Sequence, residues 1–132
     1  VEFVRAASSS EEEFQQSLAS MHEAIDKAAE KVVKKTPAQK DLIGQVDALI
    51  DTLYFTYGSF VLMGVDPERI FDIVHEANMG KVFPDGKAHF DPVTHKILKP
   101  DDWDEHYAPE AAIRKEIQRQ MKAYERHKEK QK

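Results

Sequence analysis

The chain has 132 residues, 41% of them hydrophobic and 33% charged, which is ordinary for a helical protein with one hydrophobic core. It contains no cysteine, and this excludes a disulfide framework, a thiol nucleophile and a Cys-type zinc site. A chain without cysteine suits the reducing cytoplasm. We therefore expect one cytoplasmic domain over residues 1–132.

The net charge of −5 is unevenly distributed. Residues 109–132 hold eight Lys or Arg and four Glu, so the basic charge lies at the end of an otherwise acidic chain. An acidic body argues against nucleic acid as a partner, and basic residues at helical spacing are typical of a solvated helix face. The longest apolar stretch includes two Asp, and no signal-like segment opens the chain, so we expect no membrane association.

The first predicted helix begins at Ser10, where Ser10 and Glu13 have the spacing of a capping box. Apolar residues follow at near-helical spacing up to residue 32: Phe14, Leu18, Met21, Ile25, Ala28 and Val32. A second box, Thr36-Pro37-Ala38-Gln39, predicts the start of another helix that ends at Gly64. Its stretch from Leu42 to Met63 is apolar on all sides, which predicts a buried helix.

Asp66-Pro67 predicts the start of a third helix that Gly80 ends. Helical periodicity is then lost over residues 81–108, where KAHFD and HKILK could pair as a short hairpin and KPDDWDEHYAP reads as loop. The last helix is predicted from Pro109, with its core side formed by Ile113, Ile117, Met121 and Tyr124. The fold class is therefore all-α, a bundle of four main helices with a long loop before the last one.

Asp47 and Asp51 lie four residues apart in the apolar helix, so their carboxylates share one stripe. Buried carboxylates must be protonated, paired or bound to a cation. The preceding helix offers a second acidic stripe: Glu23, Asp26 and Glu30. Oxygen ligands facing each other across a bundle favour Mg²⁺ or Mn²⁺. Two alternatives stay open: the second stripe is solvated beside neighbouring lysines, or Asp47 and Asp51 pair with basic residues of the last helix.

Several short motifs occur in order between Leu42 and Trp103. They are Asp-x-x-x-Asp, Leu-Tyr-x-x-Tyr-Gly, Gly-Val-Asp-Pro, His-x-x-Asn-Met-x-Lys, Asp-Gly-Lys and Leu-Lys-Pro. Together they resemble the all-α nucleoside-triphosphate pyrophosphohydrolases, the MazG-like and phosphoribosyl-ATP pyrophosphohydrolase-like superfamily that includes dimeric dUTPases. The resemblance implies a homodimer or dimer of dimers that uses Mg²⁺ to hydrolyse a (d)NTP to the monophosphate and pyrophosphate.

The resemblance also implies site residues. Glu23, Asp26, Asp47 and Asp51 would hold the metal ions that activate a water for attack on the α-phosphorus. The family's first acidic motif, Glu-Glu-x-x-Glu, aligns with residues 22–26, where His22 replaces the first Glu and Asp26 the last. A rival alignment uses Glu12 and Glu13, and it stays open.

Asn78 and Lys81 match the family residues that meet the triphosphate, whereas Tyr54 and Trp103 are candidate surfaces for stacking on the base. Each has a structural alternative, as a helix end, a solvated lysine or a core aromatic. Among substrates, dUTP or another pyrimidine deoxynucleotide is favoured, with a role in cleansing the nucleotide pool. Two other classes remain as alternatives: a non-catalytic oligomerisation module, and a sensor that binds nucleotide without turnover.

Overall fold

The computed structural model describes residues 1–35 and 38–131. This part of the chain forms six helices and no β-strand. They are α1 (Glu2–Ala7), α2 (Glu11–Val33), α3 (Leu42–Met63), α4 (Glu68–Met79), α5 (Trp103–His106) and α6 (Glu110–Glu129). The predicted all-α fold with four long helices is confirmed.

The chain divides into two compact units, Val1–Val46 and Asp47–Lys132. In the first, α1 contacts α2, and Phe14 is buried beneath the guanidinium of Arg5, which lies 4.9 Å from the ring centre. Ser10 caps α2 as predicted, because its hydroxyl accepts a hydrogen bond from the Glu13 amide at 3.1 Å. The short helix α1 had no recognisable signal in the sequence. That the whole chain forms a single domain stays a prediction.

The start of α3 differs from the prediction. The helix begins at Leu42, and residues 38–41 are not helical, so a start near residue 37 is wrong. Thr36 and Pro37 of the predicted capping box lie outside the described residues. Asp41 caps the helix instead, since its carboxylate accepts from the Ile43 amide at 3.0 Å and its carbonyl from the Gln45 amide at 3.1 Å. The predicted end is confirmed: Gly64, with a φ of +66°, follows Met63.

The prediction that α3 is buried is wrong for the single chain. None of its 22 residues is buried, and Leu62, near its carboxyl end, is 89% exposed. A helix with apolar residues on every side is expected to pack against other apolar surface. The sequence pattern does not show whether that surface belongs to the same chain or to another one. No single helix in the described residues is both long and apolar enough to cross a membrane. By length and composition α3 and α4 meet that requirement only as a pair, and the pair is bent by 120°.

In the second unit, α4 packs against α6. Ala77 and Trp103 are buried there, and Ile113 and Ile117 of the predicted α6 core side are half-buried. Met121, on the same predicted side, is exposed, as is Tyr124. The predicted end of α4 and the predicted start of α6 are confirmed, since Gly80 follows α4 and Pro109 precedes α6.

A polar cluster ties α6 to the residues before α4. Glu116 is 8% exposed and accepts hydrogen bonds from Arg119 and from the Gln120 side chain, at 2.6 to 3.0 Å. Gln120 also donates to the Asp66 carbonyl and accepts from the Asp66 amide, both at 2.9 Å. These bonds fix α6 against the turn that leads into α4.

The segment between α4 and α5 is a hairpin-like loop with two isolated β-bridges, Val82 with Ala88 and Phe90 with Ile97. Its tip is closed by Asp91, whose carboxylate accepts from the Val93 and Thr94 amides at 3.0 and 2.6 Å. The stretch KPDDWDEHYAP, predicted as loop, contains the four-residue helix α5. One helical turn is too short to produce an apolar periodicity in the sequence.

Candidate functional site

The carboxylates of Asp47 and Asp51 lie one helical turn apart on α3, both exposed. In the described part of the chain, neither carboxylate makes an ion pair or a side-chain hydrogen bond. The predicted burial of this pair is therefore wrong for the single chain, and pairing with α6 is not found among the described residues. The two side chains are left as unengaged oxygen donors.

The acidic stripe on α2 is exposed and partly engaged by lysines on its own helix. Glu23 pairs with Lys27 at 2.6 Å, and Glu30 pairs with Lys34 at 3.6 Å. Exposed pairs of this spacing contribute a few tenths of a kcal/mol, about 0.3 to 0.5, so a divalent ion can displace them. Asp26 has no such partner in the part of the chain that the structure describes.

In the rival first motif, Glu12 and Glu13, the Glu13 carboxylate already accepts hydrogen bonds from a neighbouring residue. Glu13 accepts from the Ser9 amide at 2.7 Å and from the Ser9 hydroxyl. The hydroxyl of Ser9, and then its amide, lower the pKa of Glu13 from its ordinary value. Glu12 accepts only a long bond, at 3.4 Å, from the Gln16 side chain. Glu13 therefore has a structural task at the start of α2.

Glu23 and Asp26 belong to the first compact unit, and Asp47 and Asp51 belong to the second. Among the residues that the structure describes, no three acidic or histidine side chains are grouped closely enough to hold a metal ion. The site of four carboxylates thus stays a prediction, and each pair is established only on its own helix.

The predicted phosphate contacts lie at the carboxyl end of α4. The Lys81 ammonium donates a hydrogen bond to the Asn78 side-chain oxygen at 2.8 Å, so the two residues form one polar group. The backbone supports this pairing, because the Lys81 amide donates to the Asn78 carbonyl at 3.1 Å. Asn78 is exposed and Lys81 is half-buried, so both are accessible to a ligand.

Trp103, the third predicted contact in this region, is 6% exposed. Its indole N–H donates to the Ala77 carbonyl at 2.8 Å. The ammonium of Lys81 lies 5.7 Å from the centre of the ring, and that of Lys99 lies 3.8 Å from it. The structure therefore brings together Asn78, Lys81 and Trp103, and it adds Lys99, which also pairs with Asp104 at 3.1 Å.

Lys99 was missed as a site residue although it lies in the Leu-Lys-Pro motif, close in sequence to Trp103. The Trp103 ring and Lys81 lie in different elements, so no sequence periodicity could predict that they are in contact. Tyr107 was also missed. A Cβ on Gly80 would lie 2.7 Å from Cδ2 of the Tyr107 ring, and nearer still to its Cγ and Cδ1, so glycine is required by this close approach.

Tyr54, the fourth predicted substrate contact, lies on α3 and is 76% exposed. Its ring meets Phe55 edge to face with the centres 6.3 Å apart. Its exposed ring is available to stack on a planar ligand. A contact between Tyr54 and a base stays a prediction.

A second polar pair lies in the hairpin-like loop. The Asp85 carboxylate and the His89 ring nitrogen are 2.9 Å apart, and the Phe83 ring lies 4.3 Å from the imidazole. The hydrogen bond with His89, followed by that from the Lys87 amide, lowers the pKa of Asp85. This pair orders the loop that separates Lys81 from Lys99.

The all-α fold is that of the nucleoside-triphosphate pyrophosphohydrolases, and the comparisons with known proteins agree. The family profile of phosphoribosyl-ATP pyrophosphohydrolase matches residues 1–78, more than half of the chain. The chain therefore belongs to the phosphoribosyl-ATP pyrophosphohydrolase family, and it is a pyrophosphohydrolase.

Among solved structures, the chain is similar to a "putative NTP pyrophosphohydrolase" from Exiguobacterium sp. 255-15. The two are 40% identical, the match covers 94% of this chain and 73% of that one, and the TM-score is 0.81. A comparison with curated proteins found no match. The predicted membership of the MazG-like superfamily is confirmed.

Proposed function

We propose that the protein hydrolyses a (d)NTP to the (d)NMP and pyrophosphate with the help of Mg²⁺. The observation that supports this most directly is the pair Asp47 and Asp51, two exposed carboxylates one turn apart without a cationic partner in the described chain. This pair supplies the only charged side chains of α3, and among the described residues it neither caps a helix nor forms an ion pair.

The donor chemistry of this pair fits magnesium. Mg²⁺ prefers carboxylate oxygens and keeps several of its waters, so two exposed carboxylates on one helix are a suitable anchor. Glu23 and Asp26 are the further ligands that we propose, and Mn²⁺ is the natural substitute. When bound, the ion offsets charge on the phosphates and makes a water a better nucleophile.

The residues after α4 supply the second half of the proposed mechanism. The Lys81 ammonium neutralises charge on the leaving pyrophosphate, and Asn78 orients that ammonium through the 2.8 Å hydrogen bond between them. The Asn78 amide NH₂ has no hydrogen-bond acceptor among the described residues and can donate to a phosphate oxygen. Attack of water on the α-phosphorus would then release pyrophosphate with its charge already compensated.

For the base, we propose a pyrimidine deoxynucleotide such as dUTP, with Tyr54 as a stacking surface. The support is the exposed ring of Tyr54 on the same helix as Asp47 and Asp51. Removing such a nucleotide would cleanse or balance the nucleotide pool.

We further propose that a second copy of the chain covers α3 in a homodimer or a dimer of dimers. Large apolar side chains are exposed along the whole helix, from Leu42 to Met63. Exposed apolar surface of this extent marks an interaction site. No Lys or Arg occurs in this stretch, so the face offers nothing to an acidic partner, whereas an identical apolar face is complementary to it.

The proposal is tested by incubating the protein and Mg²⁺ with dUTP and with each of the eight common (d)NTPs, and measuring the monophosphate and pyrophosphate. We expect release from at least one deoxynucleotide, none in EDTA, and none from Asp51→Asn. Asp72→Asn is the matched control, because Asp72 is exposed on α4 and has no ion pair among the described residues. Nucleotide binding without release would contradict the enzyme and indicate a sensor. Neither binding nor release would indicate an oligomerisation module.

A further inference from the structure

Two ammonium groups are held against one indole in the second unit. Lys81 comes from the end of α4 and Lys99 from the end of the hairpin-like loop, and their nitrogens lie 5.7 and 3.8 Å from the centre of the Trp103 ring. Each is attracted to the ring, but two like charges at one side chain repel each other. An anion that touches both would relieve this repulsion.

Only one of the two charges is compensated within the described chain. Lys99 pairs with Asp104, whereas Lys81 has the neutral oxygen of Asn78 as its hydrogen-bond partner and no carboxylate within 4 Å there. The side chain of Lys99 is still 46% exposed. The pair thus presents a net positive site that a ligand can reach.

Trp103 itself offers little surface to a nucleotide base. The side chain is 6% exposed, its N–H is used by Ala77, and the Lys99 ammonium lies over its ring. A buried indole that touches two lysines can still control where those lysines are held. The ring is also anchored to α4 one residue before Asn78, so it fixes the lysines relative to that residue.

We propose that Lys99 is a second phosphate-binding cation of this site, and that Trp103 is a positioning residue that holds Lys81 and Lys99 for a polyphosphate chain. The inference deepens the proposed function and rests on it for the identity of the nucleotide. Independently of which nucleotide binds, a polyphosphate chain contacts both lysines. The indole affects phosphate binding by positioning these lysines, and it does not stack on the base.

The test uses inorganic tripolyphosphate, which has phosphates and no base. Binding to the intact protein is measured by isothermal titration calorimetry in EDTA, so that metal at the carboxylates plays no part. We expect Lys99→Gln to weaken binding about 10-fold, as loss of a charged hydrogen bond does. Lys99→Arg should restore most of the affinity. Lys96→Gln, with the same change of charge on an exposed lysine of the same loop, should bind as the wild type does.

Trp103 is tested with the same probe. Trp103→Phe retains an aromatic face for the lysines, and Trp103→Leu removes it. We expect tripolyphosphate binding to be weakened more by Leu than by Phe. A residue that stacks on the base would leave binding of this base-free probe unchanged in both variants, and that result would overturn the positioning role. If the Leu variant does not fold, an unchanged tripolyphosphate affinity in the Phe variant together with a loss of dNTP affinity would also overturn that role.

The failure of this inference can be told apart from the failure of the proposed function. If the protein hydrolyses a dNTP but Lys99→Gln has the wild-type KM and tripolyphosphate affinity, the proposed role of Lys99 is refuted and the proposed function is retained. If Lys81→Gln and Lys99→Gln both weaken tripolyphosphate binding but no nucleotide is hydrolysed, the proposed function is refuted and the phosphate-binding site is supported. Wild-type affinity in both Lys81→Gln and Lys99→Gln would overturn the site altogether.

Discussion

The indole N–H of Trp103 donates a 2.8 Å hydrogen bond to the carbonyl of Ala77, and both residues are buried. The bond joins α5 to the last turn of α4, directly before the polar group of Asn78 and Lys81. The stability of α5 and the geometry of the proposed phosphate-binding residues, Asn78 and Lys81, are therefore coupled through one side chain.

Replacing Trp103 with Phe should destabilise the protein. The Ala77 carbonyl would remain buried without its donor, which costs about 1–3 kcal/mol in the free energy of unfolding. Urea unfolding followed by far-UV circular dichroism measures the loss. Tyr107→Phe is the control, because its hydroxyl makes no hydrogen bond in the described chain and its removal should change the free energy by less than about 0.5 kcal/mol. An unchanged midpoint for Trp103→Phe would contradict the coupling.

Gly80 should not accept a side chain. A Cβ there would meet the Tyr107 ring at 2.7 Å from Cδ2, so we expect Gly80→Ala to cost about 1–3 kcal/mol of stability, as overpacking does. The φ of −63° at Gly80 is ordinary for alanine, so backbone strain adds nothing to this cost. In a Tyr107→Ala background the same substitution should be neutral or stabilising. Equal costs in both backgrounds would show that the ring is not the obstacle.

Glu116 should give the protein a pH-dependent stability in the acid range. Hydrogen bonds from Arg119, and then from Gln120, lower the pKa of Glu116 from 4.5 to about 2. Because this pKa is lower in the folded state, the ionised carboxylate stabilises the fold above about pH 4.5, and the contribution is lost as the pH falls towards 2.

We therefore expect Glu116→Gln to unfold at a lower urea concentration than the wild type at neutral pH, with the difference narrowing below about pH 4.5. Urea titrations across this range measure the difference. Glu125→Gln, on the exposed side of the same helix, should show no such narrowing. A difference for Glu116→Gln that is constant with pH would contradict the assignment.

An aspartate on the apolar surface of α3 should disrupt the proposed assembly. Leu62→Asp places a charge where the second copy is expected to pack, so size-exclusion chromatography with light scattering should show a smaller species or a loss of soluble protein. Val93→Asp is the matched control, since Val93 is 83% exposed at the tip of the hairpin-like loop and should not alter the mass. A wild-type protein that is monomeric at high concentration would contradict the assembly.

The ends of the long helices could be predicted from the sequence because local chemistry determines them. Ser10 caps α2, Gly64 follows α3 and Pro109 precedes α6, each by a rule that involves only near neighbours. The start of α3 was misplaced because two competing signals lie a few residues apart, and Asp41 rather than the earlier capping box supplies the observed cap.

Burial and tertiary contacts were harder to predict. The apolar character of α3 indicated that it needs cover, but hydrophobicity cannot show which chain provides it. Asn78 and Lys81 were named from the family resemblance, and their grouping needs only the local backbone at the end of α4. The grouping of Lys81 with Lys99 is not local, because it depends on how the loop folds back onto Trp103.

The most direct test of the central claim is the position of water attack on the nucleotide. The reaction is run with Mg²⁺ and the preferred dNTP in water enriched in oxygen-18, and the products are separated by mass spectrometry. Attack on the α-phosphorus predicts label in the monophosphate and unlabelled pyrophosphate. Label in pyrophosphate, or release of orthophosphate and diphosphate nucleotide, would contradict the account.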